Sequence, residues 1–189
     1  LKAYQDRLEN RKKRLLDISI PFRDGFVEEL ERFANEAIEV GLRGVKPCRR
    51  QVTDEVLEVT FTLNHFDLVL IAGDKVVLRE RDSDELASKM FIFEDVGCED
   101  IGPFAMIEIW ESGEKSYAYA MRFFSEEEPK SPYVEDTSVS KRQGQQTAAT
   151  LIEWFYRDTW WFWPRRPRLK LMRTRQVRRG TLGFQRPAR

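Results

Sequence analysis

Between Val52 and Phe124 the chain is a succession of short segments in which apolar and polar residues alternate, with no gap long enough for an intervening helix. Parallel strands need a crossover of about a dozen residues or more, so segments this close can pair only in the antiparallel sense. The expected topology is therefore a meander. Leu57, Val59, Phe61 and Leu63 alternate with Glu58, Thr60 and Thr62, the pattern of a half-buried strand. Segment 66–72 (FDLVLIA) is apolar at nearly every position and reads as a central strand. Gly73-Asp74 is a two-residue hairpin signal leading into 75–81. Segments 88–95, 104–111 and 115–124 follow, the last two joined by a tight turn at Ser112-Gly113-Glu114, giving six strands over about 52–124.

Helical periodicity flanks this region. Residues 1–17 are rich in helix formers with a sparse apolar stripe, and Pro21 predicts a break, because proline disfavours helix in the residue before it. A second helix is expected over 22–41, where Phe22, Phe26, Leu30, Phe33, Ala37 and Ile38 recur at spacings of three and four. Gly41 and Gly44 end it. Residues 125–144 read as a long polar surface loop. A last helix is expected at about 145–162, with Thr147 as its cap and Ala148, Leu151, Ile152 and Phe155 as its inner face. Ala118 and Ala120 give the last strand a smooth face against which a helix could pack closely. The fold class is thus α+β: two N-terminal helices, a roughly six-stranded antiparallel meander and a C-terminal helix packed on the sheet. One domain fills 1–163, and a tail spans 164–189.

The tail is set apart by charge. Residues 1–163 carry 22 Lys and Arg against all 32 Asp and Glu, a net of −10, whereas 164–189 carry ten Lys and Arg and no acid. A neutral total therefore conceals an acidic body and a basic extension. With 41% apolar and 34% charged residues the chain is of globular composition, and no apolar run approaches the roughly 18 residues that span a bilayer. Its first residues lack the apolar core of a secretory signal. Cys48 and Cys98 sit in unrelated settings and are read as reduced thiols, so an intracellular, cytoplasmic protein is expected.

Catalytic equipment is sparse. His65 is the only histidine, which removes every multi-histidine metal site and every dyad that needs two, and no phosphate-binding glycine loop or nucleophile elbow occurs. The carboxylates Glu94, Asp95, Glu99 and Asp100, and the run Glu126–Glu128, follow no ligand-loop spacing and read as solvated surface. No metal site and no cofactor are expected. Glu108 stands out, because alternation places it on one strand face with Phe104, Met106 and Trp110. It would either line a pocket with a raised pKa or pair with Arg122 on the next strand. A concave sheet face with Tyr117 and Tyr119 would make that pocket.

The most unusual stretch runs from Trp160 to Lys170, where Trp160, Trp161 and Trp163 lead into Arg165, Arg166, Arg168 and Lys170. Aromatics beside arginines can stack on unpaired bases while the guanidinium groups meet phosphates. The same residue types dominate protein interface hot spots. Membrane contact is disfavoured for want of apolar surface. Alternatively the tail docks on the acidic body, and the strand-like alternation of Arg168, Leu169, Lys170 and Leu171 suits an added edge strand. The functional expectation is a non-enzymatic binding or assembly module. Its tail is either docked or in contact with a polyanion, nucleic acid included, or with a protein partner or a second copy. The alternative is a small-molecule-binding or hydrolytic domain using the sheet face around Glu108.

Overall fold

The computed structural model describes residues 2–53, 56–63, 66–79, 84–95, 103–123, 134–136 and 138–161. The helix α1 (Lys2–Glu39) is followed by seven strands, β1 (Lys46–Thr53), β2 (Val56–Leu63), β3 (Phe66–Leu78), β4 (Leu86–Asp95), β5 (Pro103–Gly113), β6 (Ser116–Phe123) and β7 (Val134–Asp136). Helix α2 (Lys141–Trp161) closes the sequence of elements. All strands lie in one sheet in chain order, each antiparallel to the next, as the short connections require.

Two helices were expected before the sheet, and the structure has one. Pro21 lies inside α1 on its exposed side, where water can satisfy the carbonyl that proline leaves free. Leu15, Ser19, Phe22, Phe26 and Leu30 form a stripe that runs past the proline without a shift of phase, and every one is buried. Ser19 adds a hydrogen bond from its Oγ to the Leu15 carbonyl at 2.8 Å. Burial on both sides of Pro21 therefore outweighs its local preference for a break. The helix ends where the glycines place it. Gly41 adopts φ 75°, its N–H donates to Ile38 O at 3.0 Å, and Leu42 N–H donates to Ala37 O at 2.8 Å. These two bonds make a Schellman cap.

The strand count also differs. Gly73-Asp74 makes no hairpin, and β3 runs continuously from Phe66 to Leu78. Between Ala72 and Val76 the register to β4 slips: β3 advances four residues while β4 advances only two, from Met90 to Ser88. The glycine signal marks a bulge within a strand rather than a turn between strands. β1 begins at Lys46, before the expected sheet boundary, and β7 lies within the expected loop. The β5–β6 turn centres on Glu114 and Lys115, one residue later than expected, with Lys115 at φ 61°.

Helix α2 starts at Lys141, four residues before the expected boundary, and its cap is Ser140. Gln143 N–H donates to Ser140 Oγ at 3.3 Å and the Ser140 hydroxyl donates to Gln143 Oε1, so Ser140-Lys-Arg-Gln143, with the spacing of a capping box, makes half of one. Thr147 instead lies inside the helix, buried, with its hydroxyl 3.2 Å from that of Tyr119.

Both helices pack on one face of the sheet. Phe22 packs on Tyr119 with ring centroids 4.7 Å apart and the planes inclined at 56°, and Phe33 meets Phe61 edge-on at 6.0 Å. Ion pairs fix the diagonal of α1 across the strands, Arg11 to Glu111 on β5 near its start and Arg50 on β1 to Glu31 near its end. Helices α1 and α2 cross in backbone contact. A Cβ on Gly144 would fall 2.0 Å from the Phe22 carbonyl oxygen, and one on Gly25 would fall 2.2 Å from that of Lys141. The contacts Lys141 to Gly25 and Gly144 to Phe22 run in opposite chain directions, so the helices are antiparallel.

Candidate functional site

The register of β4, β5 and β6 settles which residues share a face. Glu108 lies between Lys89 on β4 and Ala120 on β6, and Trp110 lies between Ala87 and Ala118. Met106 lies between Phe91 and Arg122 in the row beyond. These three rows make a patch about 10 Å wide across the strands. On the opposite face Ile109 pairs with Tyr119 and Glu111 with Tyr117. The expected pocket is therefore divided: Met106, Glu108 and Trp110 share a face, while Tyr117 and Tyr119 belong to the helix-covered side. Phe104 is on β5, and its side chain lies outside the described residues. The smooth face of Ala118 and Ala120 likewise faces away from the helices. Ala87, Trp110, Ala118 and Ala120 form a buried cluster separate from the main core, and among the described residues no helix side chain belongs to it.

This helix-free patch is unusual in its charges. Glu108 is 8% exposed and Lys89 6%. They stand directly opposite each other, yet no ion pair joins them. Glu108 is engaged by Arg79 at the end of β3, whose Nε lies 3.1 Å from Oε1, and the expected pairing with Arg122 does not form. The Arg79 N–H is not directed at that oxygen, which is buried without a hydrogen bond. Arg79 also pairs with Glu85 at 2.9 Å, and its guanidinium sits 4.3 Å over the Trp110 ring. One cation thus serves two carboxylates and an aromatic face. Among the described residues neither the Lys89 nor the Arg122 side chain has a hydrogen bond or ion pair. Sequence reasoning reached Glu108 and missed Lys89 and Arg79, since only the register reveals what stands across a strand.

Charge is also polarised along α1. Its first half exposes Lys2, Arg7, Lys13 and Arg14, none with a carboxylate partner among the described residues, alongside Asp6, Asp17 and Glu9, the last paired with Lys12. Its second half carries Asp24, Glu28, Glu29, Glu31, Glu36 and Glu39 against Arg23 and Arg32. Antiparallel packing takes α2 back along α1, and the rise of about 1.5 Å per residue brings its last turn level with the first turns of α1. The chain therefore enters the basic tail at the basic end of the helix pair. Trp160 and Trp161 are the last residues of α2, and their side chains lie outside the described residues, as do Trp163, Arg165, Arg166, Arg168 and Lys170 entirely.

No described helix is long and apolar enough to cross a membrane, and no group of three or more His, Cys, Asp or Glu among the described residues could hold a metal ion. Cys48, half-buried on β1, has its thiol pushed up to about 12, first by burial and then by the Glu31 carboxylate. It is therefore no nucleophile at neutral pH. No known protein family model, curated protein or solved structure matches this chain.

Proposed function

We propose that the chain is a non-enzymatic binding module that contacts a polyanion, nucleic acid in particular, through its basic tail. The observation that carries this reading is charge segregation, −10 over residues 1–163 and +10 over 164–189. The exposed cations of α1 at the end where the chain leaves α2 lend it support. A cation-rich arm gains affinity by releasing counterions from phosphates, and aromatics beside the arginines favour unpaired bases. The test is binding of fluorescent single- and double-stranded DNA and RNA across a salt series. The intact chain is compared with a variant in which Arg165, Arg166, Arg168 and Lys170 become Gln. The intact chain is expected to bind with a steep salt slope. The variant should bind more weakly, its slope shallower by about one unit for each phosphate it no longer neutralises. Absence of binding at low salt refutes the reading and moves the search to protein partners, self-association or docking of the tail on the body.

A second reading, a small-molecule-binding or hydrolytic domain on the sheet face around Glu108, draws on one observation. Glu108 Oε1 is buried and accepts no hydrogen bond, although Arg79 Nε lies 3.1 Å away. Buried polar atoms are normally satisfied, so such a group requires an explanation.

A further inference from the structure

We infer that the C-terminal segment 162–189 lies across the helix-free face of the sheet and covers it with its apolar side chains. The inference concerns where the tail lies and is independent of what its cations bind. Burial on that face carries it. Val69 and Ile71 on β3 alternate with Leu68, Leu70 and Ala72, which belong to the helix-covered core, so they point the other way. Register puts Phe91 beside Ile71, and Met106 beside Phe91, on the face that also holds Trp110. Val69 is 1% exposed, Ile71 2%, Phe91 6% and Trp110 7%. A sheet face open to water leaves large side chains partly wet, so a further layer lies over these four. No described element supplies it, because both helices pack on the other face and all seven strands lie within the sheet. The burial is that of a single chain, so neither a ligand nor a second copy is its source.

The cover therefore comes from residues outside the described elements, and composition selects among them. Residues 80–83 are Glu-Arg-Asp-Ser, with no apolar side chain. Residues 96–102 bring Val96, Cys98 and Ile101, and 124–133 bring Phe124 and Tyr133 amid three glutamates. The tail has 28 residues with eight large apolar side chains, from Phe162 and Trp163 to Leu182 and Phe184. Its length suffices. From β2 to β6 the face measures about 19 Å at about 4.8 Å per strand, whereas 28 extended residues reach about 90 Å. Its point of departure fits as well. Arg11 ties the first half of α1 to Glu111 near the end of β5 and to the Asp84 carbonyl just before β4. Because α2 ends level with the first turns of α1, the chain leaves the helix pair at the end of the sheet that carries Ala87 and Trp110. An extended chain turns Leu169 and Leu171 to one side and Arg168 and Lys170 to the other, so apolar residues rest on the sheet while the cations stay in water. The opposite charges of body and tail, −10 and +10, draw the two together.

Photo-crosslinking tests this in the full, nuclease-treated chain without removing any part of it. The photoreactive aromatic p-benzoylphenylalanine takes the place of Trp110, and the crosslinked monomer is digested and mapped by mass spectrometry. Crosslinks to residues 162–189 are expected. Crosslinks confined to 80–83, 96–102 or 124–133, or none within the chain, overturn the inference. Thiol labelling gives a second readout. In a Cys48→Ser/Cys98→Ser background, Ala118→Cys should react with a maleimide at least about ten-fold faster in a chain ending at Trp163 than in the full chain. Ala105→Cys, on the helix-covered face, should label equally slowly in both. Equal rates at position 118 overturn the inference. Fast labelling at position 105 would mean that truncation unfolds the domain, and the crosslink then decides alone. Either failure leaves the nucleic-acid titration untouched, since neither readout involves a polyanion.

Discussion

Replacing Gly144 with alanine tests the helix crossing on which the arrangement of the domain depends. A methyl group at this position meets the Phe22 carbonyl oxygen at 2.0 Å, its carbon at 2.9 Å and Phe26 N at 3.1 Å. A carbon and a carbonyl oxygen rest at about 3.3–3.6 Å, so the helices must part by more than about 1 Å. The obstructing atoms are backbone, which has no rotamer to change. Overpacking of this kind costs about 1–3 kcal/mol. Parting the helices also loosens the packing of Ala148 and Leu151, both fully buried one and two turns along. Against this, alanine gains at most about 1 kcal/mol of helix propensity, and less in the first turn. The net expectation is a loss of about 1–2 kcal/mol, or a fall in Tm of roughly 2–8 °C for a chain of this size. Urea unfolding followed by circular dichroism and calorimetry reads both quantities. Ala149→Gly, on the exposed side of the next turn, serves as control and should lose about 1 kcal/mol by propensity alone. A Gly144→Ala protein as stable as the parent, or more stable, would refute backbone contact between α1 and α2.

The titration of two buried groups predicts weakening at alkaline pH. Burial raises the Cys48 thiol to about 12, and it raises Tyr119, with Thr147 opposing and Asp136 adding to the effect. The folded state therefore keeps protons that the unfolded chain gives up earlier, so stability is full below about pH 9 and declines above it. In a Cys98→Ser background, adding Cys48→Ala and Tyr119→Phe should flatten that decline in pH-dependent urea unfolding, and an unchanged slope would contradict the assignment. Arg11 bridges Glu111 and the Asp84 carbonyl, the latter at 2.6 Å. Its guanidinium is about a third exposed, so Arg11→Met should cost no more than about 1 kcal/mol globally. Hydrogen exchange should instead quicken within residues 2–14, and equal quickening across α1 would refute a local role.

What the sequence revealed and what it hid divide along physical lines. Alternation over 57–63 and the doubly apolar 66–72 identified β2 and β3, because the side-chain period of a strand is imposed by the backbone itself. Pro21 and Gly73-Asp74 misled for a shared reason. Each is a local signal: burial on both sides carries the helix through Pro21, and at Gly73-Asp74 the strand resumes its pairing with β4 at Val76. The start of α2 was legible and was passed over, since Ser140-Lys-Arg-Gln143 has the spacing of a capping box. The placing of Lys89 and Arg79 beside Glu108 could not have been found by pattern, because it depends on what stands opposite in register and on the reach of Arg79 from the next strand but one. The division of the expected pocket has the same origin: adjacent strands sort residues by partner, and Tyr119 faces Ile109 rather than Glu108.

The crossing of α1 and α2 also bears on the order in which the domain can assemble during synthesis. Every strand pairs with its neighbour in sequence, so the sheet can zip as the chain emerges from the ribosome. The helix pair cannot, because Phe22 and Gly25 wait for partners about 120 residues downstream. Until Ser140 to Phe155 has been made, one flank of α1 has nothing to lie against. The nascent domain carries that uncovered flank through most of its translation, and a chaperone that reads exposed aromatic helices would meet it there.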